Sequence, residues 1–348
     1  YQGKKNLKWN YFKVADIGIN PNSKYLTNAI NTISDITMEE IGALPFPKGS
    51  IVFPRVGAAL FNNNKKILAQ DGVVDDNVLV LTVTDTSKCW YEFLYYYLQG
   101  IPLAKWCNSG LVPVINTKTV LSQMVFLPPL PEQQKIAAIL STQDKVIELK
   151  EKLLAQKQQQ KKYLMQQLLT GKKRLSGFNE KWRFAKLENV SKYSASAASF
   201  KTYESHLGCG PYPVYDASGC FGNIDFYENE QPYISIVKDG AGAGRVALCK
   251  EKSSTIGTLG CIFANDIDLL YLFYCMSAVD FQIYSNGSTI PHVYYKDYKN
   301  MVLYLPCELE QKAIVEILSA ADHEIDLLQK SIEAEKQKKK ALMQLLLT

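Results

Sequence analysis

Glu132-Gln-Gln-Lys-Ile-Ala-Ala-Ile-Leu-Ser-Thr-Gln-Asp144 and Glu310-Gln-Lys-Ala-Ile-Val-Glu-Ile-Leu-Ser-Ala-Ala-Asp322 are one sequence written twice, 178 residues apart. The alignment runs without a gap from 108–170 to 286–348, and residues 132–170 share 19 identities in 39 positions with 310–348. Among the identities are Gln133/Gln311, Ser141/Ser319, Asp144/Asp322 and Leu164-Met165-Gln166/Leu342-Met343-Gln344. A weaker match opens each half, where Trp9-Asn-Tyr-Phe-Lys-Val-Ala-Asp-Ile17 parallels Trp182-Arg-Phe-Ala-Lys-Leu-Glu-Asn-Val190 at an offset of 173. The order is variable segment, shared segment, variable segment, shared segment: one plan used twice.

The shared segments read as long helices. Pro128, Pro129 and Pro131 keep the chain extended ahead of Glu132, whose carboxylate suits the positive end of a helix. The next 38 residues, 133–170, contain neither Pro nor Gly, and Gly171 can close the C-terminus. Leu140, Ile147, Leu154 and Leu168 recur in steps of seven beside Ile136 and Leu164; Leu318, Ile325, Ile332 and Leu346 do so beside Ile314, Ala321, Leu328 and Leu342. Such a stripe is a seam without a core of its own, and two equivalent seams in one chain can satisfy each other. The pattern predicts an antiparallel intramolecular coiled coil, each helix on the order of 55 Å long. Lys161 and Lys339 interrupt it at matching positions, where a solvated or splayed section is expected.

The variable segments have a different texture. Gly49-Ser-Ile-Val-Phe-Pro-Arg-Val-Gly57, Asn77-Val-Leu-Val-Leu-Thr-Val-Thr84 and Tyr233-Ile-Ser-Ile-Val-Lys-Asp-Gly240 are β-branched and aromatic runs bounded by turn residues, the signature of short strands. Each segment also has one apolar helix candidate, Tyr91-Glu-Phe-Leu-Tyr-Tyr-Tyr-Leu98 and Leu269-Leu-Tyr-Leu-Phe-Tyr-Cys-Met276, again 178 apart. The expected fold is α+β: two mixed domains at 1–127 and 176–305, joined and spaced by helices within 128–175 and 306–348, with a pseudo-twofold internal repeat.

Composition narrows the function classes. At 348 residues and 47% apolar the chain can bury about two cores. No apolar run approaches the roughly 18 residues of a membrane span, so the expected location is cytoplasmic, with no membrane partner. Eight scattered cysteines lack C-x-x-C spacing, and His206, His292 and His323 fall in different elements, so no metal site is expected. The net charge of +5 is uneven: +3 over 1–131, +6 over 132–175, and −2 over each of 176–305 and 306–348. Phosphate neutralisation supplies most non-specific DNA affinity, so a DNA binder with this balance needs basic surface from a partner.

Catalysis by this chain is not expected. The only Pro-Pro, in Leu127-Pro-Pro-Leu130, lacks the acid, amide or aromatic neighbours of an amino-methyltransferase pocket. Asp239-Gly-Ala-Gly-Ala-Gly-Arg245 matches neither phosphate-loop pattern and reads as a tight strand turn. Glu148-Leu-Lys150 and Glu310-Gln-Lys312 lie on helices without the acidic strand that a nuclease requires.

Taken together, Trp9 and Trp182 with their Lys-Val and Lys-Leu successors, Leu127-Pro-Pro-Leu-Pro-Glu-Gln-Gln-Lys135, Leu305-Pro-Cys-Glu-Leu-Glu-Gln-Lys312 and Leu164-Met165-Gln-Gln-Leu-Leu-Thr-Gly171 resemble the specificity subunit of type I restriction-modification enzymes over the whole length. The resemblance implies a non-catalytic subunit with two target recognition domains, each reading half of a split site in double-stranded DNA. It also implies that the paired helices set the spacing and dock two methyltransferase subunits, with motor-nuclease subunits completing the enzyme. AdoMet, ATP and Mg would sit only on those partner subunits. Cys307 and Leu309 stand where the first copy has Pro129 and Pro131, which predicts a less rigid second helix start. A coiled-coil scaffold with globular protein-binding ends is the alternative.

DNA contacts are sought on loops carrying a cation or small polar groups. Arg55 and Lys238 stand at corresponding strand ends ahead of Gly57 and Gly240, with Arg245 closing the second loop. The polar turns add Asn62, Lys65 and Lys66 in the first domain and Tyr215, Ser218 and Asn223 in the second. A further pair at offset 178 contributes Ser109 and Ser288-Thr289, ahead of Pro113 and Pro291.

Overall fold

The structure, a computed structural model, describes residues 4–19, 23–108, 110, 112–287 and 290–347. Four helices carry the repeat: α1 (Tyr91–Gln99), α2 (Leu130–Leu168), α3 (Leu269–Ser277) and α4 (Glu308–Leu346). Both α1/α3 and α2/α4 begin 178 residues apart, and α2 and α4 have 39 residues each. The chain forms two compact units, residues 1–152 with 330–348 and residues 153–329, so each unit holds one globular part and a portion of both long helices.

In the first unit, strands β1 (Trp9–Phe12), β2 (Tyr25–Leu26), β3 (Asn31–Ile33), β4 (Ile51–Pro54), β5 (Lys66–Leu68), β6 (Val73–Val74) and β7 (Val78–Leu81) build two sheets, ordered β3-β1-β6 and β2-β5-β4-β7. β4 is buried along its length, which explains its unbroken apolar run. Ile51 and Phe53 face a core shared with Phe93 and Tyr96 of α1 and Ile136, Ala137 and Leu140 of α2, while Val52 faces a second core with Phe12, Ile17 and Leu68. Leu342, Met343 and Leu346 of α4 pack against the first of these cores.

The second unit repeats the plan with more strands. Its main sheet runs β13-β12-β15-β9, made of β9 (Ser191–Ser194), β12 (Tyr233–Val237), β13 (Val246–Cys249) and β15 (Leu259–Ala264). Beside it stand a β11-β10-β14 sheet of β10 (Tyr212–Asp216), β11 (Gly219–Ile224) and β14 (Ser254–Thr255), and two pairs: β8 (Arg183–Lys186) with β18 (Val302–Leu305), and β16 (Ser285–Asn286) with β17 (His292–Val293). Ile234, Ile236 and Ile262 form a core with Tyr271, Leu272 and Cys275 of α3, Ile314, Val315 and Leu318 of α4, Met165 and Leu168 of α2, and Leu169 just beyond it. The fold is therefore α+β with an internal repeat.

The seam has a strict rhythm. Every residue of α2 at 136, 140, 143, 147, 150, 154, 157, 161, 164 and 168 is buried or half-buried, as is every residue of α4 at 314, 318, 321, 325, 328, 332, 335, 339, 342 and 346. Steps of four and three alternate throughout, the spacing that keeps one face turned toward a partner helix. Ile136, Leu140, Leu168, Ile314, Leu318 and Ile332 are buried; Ile147, Leu154, Ile325 and Leu346 are half-buried. In the first unit Gln143 Nε2 donates to Glu335 Oε2 at 2.7 Å and Lys150 Nζ to Ser331 Oγ at 2.8 Å, so one helix descends as the other rises. In the second unit Lys157 pairs with Glu324 at 2.7 Å and Lys161 with Asp322, in the same antiparallel sense.

One expectation needs correction. Lys161 and Lys339 are not in a solvated or splayed section, because each is half-buried in the seam and ion-paired to an aspartate of the other helix. The second helix start, with Cys307 and Leu309 in place of two prolines, makes the same first-turn bond as the first. Gln311 N donates to Cys307 O at 3.0 Å as Gln133 N does to Pro129 O at 3.1 Å, and the fully buried Glu310 accepts from Arg174 Nη2 at 2.6 Å and Trp182 Nε1 at 3.0 Å.

Candidate nucleic-acid interface and helix clamps

Arg55 directly follows β4 and Lys238 directly follows β12, and the same backbone stitch holds each beside a second loop. Gly57 N donates to Pro113 O at 2.9 Å and Ile115 N to Arg55 O at 2.9 Å; Gly240 N donates to Pro291 O at 3.0 Å and Val293 N to Lys238 O at 2.8 Å. Gly57 and Gly240 turn the chain there with φ of 83° and 92°, a conformation that disfavours a side chain. Thus the structure joins Arg55 to residues 113–115 and Lys238 to residues 291–293. Ser109, Ser288 and Thr289 themselves lie outside the described residues.

Arg55 is exposed, Lys238 half-buried and Arg245 exposed. Arg245 shares the loop of Lys238: Val237 N donates to Arg245 O at 2.9 Å and Gly244 N to Val237 O at 2.8 Å, so the glycine-rich stretch is a strand turn between β12 and β13. Next to this loop is a group of side chains that sequence reasoning missed. His292 Nδ1 lies 2.7 Å from Asp239 Oδ1, its ring is within 4° of parallel to Tyr294, and Lys296 Nζ sits 5.4 Å from the Tyr294 ring centroid. Tyr294 is exposed, and an exposed aromatic ring beside a cation can stack a base and approach a phosphate. The alternation in Pro291-His-Val-Tyr-Tyr-Lys296 was the available signal.

Asn62 is exposed at the end of a short helical turn, Ala58–Asn62, and remains available for contact. Lys65 and Lys66 are a correction, since both are 2% exposed and neither reaches solvent as a polar turn would. Lys65 Nζ donates to Asn63 Oδ1 at 2.6 Å and to Ile101 O at 2.9 Å, and Lys66 Nζ donates to Ser23 O. Lys66 opens the buried strand β5 with Lys65 just ahead of it, and burial lowers the ammonium pKa of Lys65 to about 7 and of Lys66 to about 8.

A test of that burial follows from linkage. With its folded pKa below the unfolded value of about 10.4, Lys65 binds fewer protons when folded, so stability rises with pH between about 7 and 10 and the full penalty applies below about 7. Lys65→Met is expected to melt above the wild-type chain at pH 6.5, with the gap narrowing at pH 9.5. An equal gap at both pH values would show that Lys65 keeps its charge hydrated.

In the second unit, Asp216 Oδ1 accepts from Ser218 N at 2.6 Å and Gly219 N at 3.1 Å and shapes the β10–β11 turn. Ser218 and Asn223 are exposed on this hairpin, whereas Tyr215 is half-buried against Tyr233, Cys249 and Cys261. These three belong to the β11-β10-β14 sheet, not to the β12–β13 loop that carries Lys238 and Arg245.

The repeated motifs at the helix starts hold helices to globular parts. Gln133 Oε1 accepts from Trp90 N at 2.8 Å, and its Nε2 donates to Lys88 O at 2.8 Å and Pro128 O at 2.7 Å. Gln311 does the same 178 residues on, accepting from Asp268 N at 3.0 Å and donating to Pro306 O at 3.0 Å. A buried amide offers both an acceptor and donors, so one side chain satisfies the lead-in of the long helix and the N-terminus of the aromatic helix. About three turns further on, Tyr96 Oη donates to Asp144 Oδ2 at 2.7 Å and Tyr274 Oη to Asp322 Oδ2 at 2.8 Å, tying α1 to α2 and α3 to α4.

Among the described residues no group of three or more His, Cys, Asp or Glu is placed to hold a metal, and no helix is long and apolar enough to cross a membrane.

The family described as type I restriction modification DNA specificity domain matches the chain twice, over residues 2–159 and 179–336. A Methanocaldococcus jannaschii protein that carries the name type I restriction enzyme MjaX specificity subunit is 26% identical over 360 residues, covering 94% of this chain and 84% of its own. The MjaVIII specificity subunit of the same organism is 37% identical over 131 residues, covering 36% and 30%. The solved S subunit of a type I restriction-modification system from M. genitalium superposes with a TM-score of 0.63 at 17% identity, covering 98% of this chain and 89% of that one. A chain solved in work on complex assembly and conformational transition of the type I R-M system gives 0.60 at 14%, covering 97% and 90%. At these identities the structural likeness is one of fold.

Proposed function

The chain belongs to the type I restriction modification DNA specificity domain family, and from that premise we propose that it reads one bipartite DNA site, residues 1–127 taking one half-word and residues 176–305 the other. The observation that carries this reading is the repeat itself. Each unit has a cation at the end of a central strand, stitched to a second loop, and a glutamine clamp fastening the globular part to an antiparallel helix pair.

In this reading the helices separate the half-words and dock two methyltransferase subunits, and motor-nuclease subunits complete the assembly. The chain contributes recognition without catalysis; AdoMet, ATP and Mg belong to the partner subunits. The mild charge, negative over 176–305, supports a chain that grips DNA firmly only when partners add basic surface. The assembly would work in the cytoplasm. Copurification with a methyltransferase subunit and sequencing of the DNA it methylates tests the proposal. Two half-words separated by unread bases are expected; a continuous motif, or no sequence preference, would overturn it.

A further inference from the structure

Among the polar contacts of the seam, two charged clusters stand apart because each also reaches an aromatic helix. In the first unit Lys339 Nζ lies 2.5 Å from Asp144 Oδ1 while Asp144 Oδ2 accepts from Tyr96 Oη, and the ammonium sits 5.8 Å from the Tyr96 ring centroid. In the second unit Lys161 pairs with Asp322 Oδ1 while Asp322 Oδ2 accepts from Tyr274 Oη, with the ammonium 5.4 Å from the Tyr274 ring centroid. All three members correspond at the offset of 178, and each cluster joins three elements: an aromatic helix, the long helix that follows it in sequence and the other long helix. Burial first, with the neighbouring aspartate adding to it, pushes the Tyr96 phenol well up, and burial pushes Tyr274 up to about 12, so both phenols remain donors.

We propose that these tyrosine–aspartate–lysine triads are register locks, positioning residues that hold the two long helices at one setting and so fix the spacing between the half-words. The proposal rests on the specificity reading and names the residues that would enforce its spacing. An apolar ladder repeating every seven residues discriminates poorly against a slip of one heptad, since apolar positions again meet apolar positions. The triads do discriminate. In the observed antiparallel register Asp144 faces Lys339 and Asp322 faces Lys161; a one-heptad slip in one direction sets the two carboxylates against Ile332 and Leu154, and in the other against Leu346 and Leu168. Either way both carboxylates lose their lysines and meet apolar side chains, and a polar group at a seam position is the best-attested device for specifying register. The tyrosines make the lock act on the globular parts as well, because each reaches from its own aromatic helix to the same carboxylate.

The test uses the full chain in complex with its methyltransferase partner, read by sequencing of methylated DNA. The variant carrying Asp144→Leu, Lys161→Leu, Asp322→Leu and Lys339→Leu has a uniformly apolar seam at these places. It is expected to keep both half-words and a thermal midpoint no lower than wild type, but to spread methylation over spacers differing by up to about three base pairs, the equivalent of seven residues at about 1.5 Å. Asp144→Asn with Asp322→Asn, which preserves shape and removes the charges, should broaden the spacer in the same way and decides the matter if the quadruple variant is insoluble. A single unchanged spacer in the folded variants overturns the lock while leaving the specificity reading intact. A wild-type complex that methylates no split site overturns both.

Discussion

Inserting about four residues into α2 near 151–156, with a matching insertion near 327–332 of α4, is expected to widen the unread gap in the DNA site by about one or two base pairs and to leave both half-words unchanged. Four residues add roughly one helical turn, about 6 Å, and successive base pairs rise about 3.4 Å. The seam should survive, because four is close to the 3.6-residue turn and shifts the apolar stripe only slightly around the helix. Both insertions avoid the triads, the glutamine clamps and the strand ends that carry Arg55 and Lys238, so recognition itself is untouched. Methylome sequencing reads the outcome directly. Altered half-words with an unchanged gap would mean that the paired helices do not set the distance.

Replacing the clamps should have the largest effect on stability. Gln133→Leu keeps the volume of a fully buried side chain but strands the Trp90 N–H and the Pro128 carbonyl; Gln311→Leu strands the Asp268 N–H and the Pro306 carbonyl. Each orphaned buried group typically costs about 1–3 kcal/mol, so each substitution is expected to cost about 2–4 kcal/mol in chemical denaturation. The two costs should be similar, since the sites are copies of one another. A change near zero at either site would show that water replaces the amide there and that the clamp is not structural.

Much of this architecture was legible because it rests on periodicity. Steps of seven apolar residues, bounded by proline ahead of Glu132 and glycine at 171, have few solutions other than a long helix seeking a partner, and duplication supplied the partner. The polar members of the seam were harder. Gln143, Lys150 and Lys157 look like ordinary solvated positions, and only their placement opposite Glu335, Ser331 and Glu324 reveals that they face inward. Lys161 and Lys339 stood out as interruptions, but their aspartates lie in the other helix and no local pattern connects them.

The candidate interface was legible in part. Arg55 and Lys238 were found because the halves could be compared, and the backbone stitches bear out that correspondence. Lys65 and Lys66 depart from expectation because Asn62-Asn-Asn-Lys-Lys66 has the composition of a turn, whereas tertiary packing buries its last two residues and makes Lys66 the start of a central strand. His292, Tyr294 and Lys296 escaped notice because their association is created by the fold of the second unit around the Asp239 loop.

The distribution of apolar burial along α2 inverts the usual behaviour of a helix under hydrogen exchange. An isolated helix frays at its ends, where amides exchange first. Here the ends are set into the domain cores, with Ile136, Ala137 and Leu140 at one end of α2 and Met165 and Leu168 at the other, while Lys150, Leu154 and Lys157 between them are only half-buried. Amide deuteration of the intact chain should therefore be fastest near 150–158 and slowest near 136–143 and 163–168. Salt should accelerate the middle further, because Lys150–Glu335 and Lys157–Glu324 are partly exposed ion pairs that added ions screen. The middle of α2 is thus expected to open first while its two ends, each packed into its own core, hold.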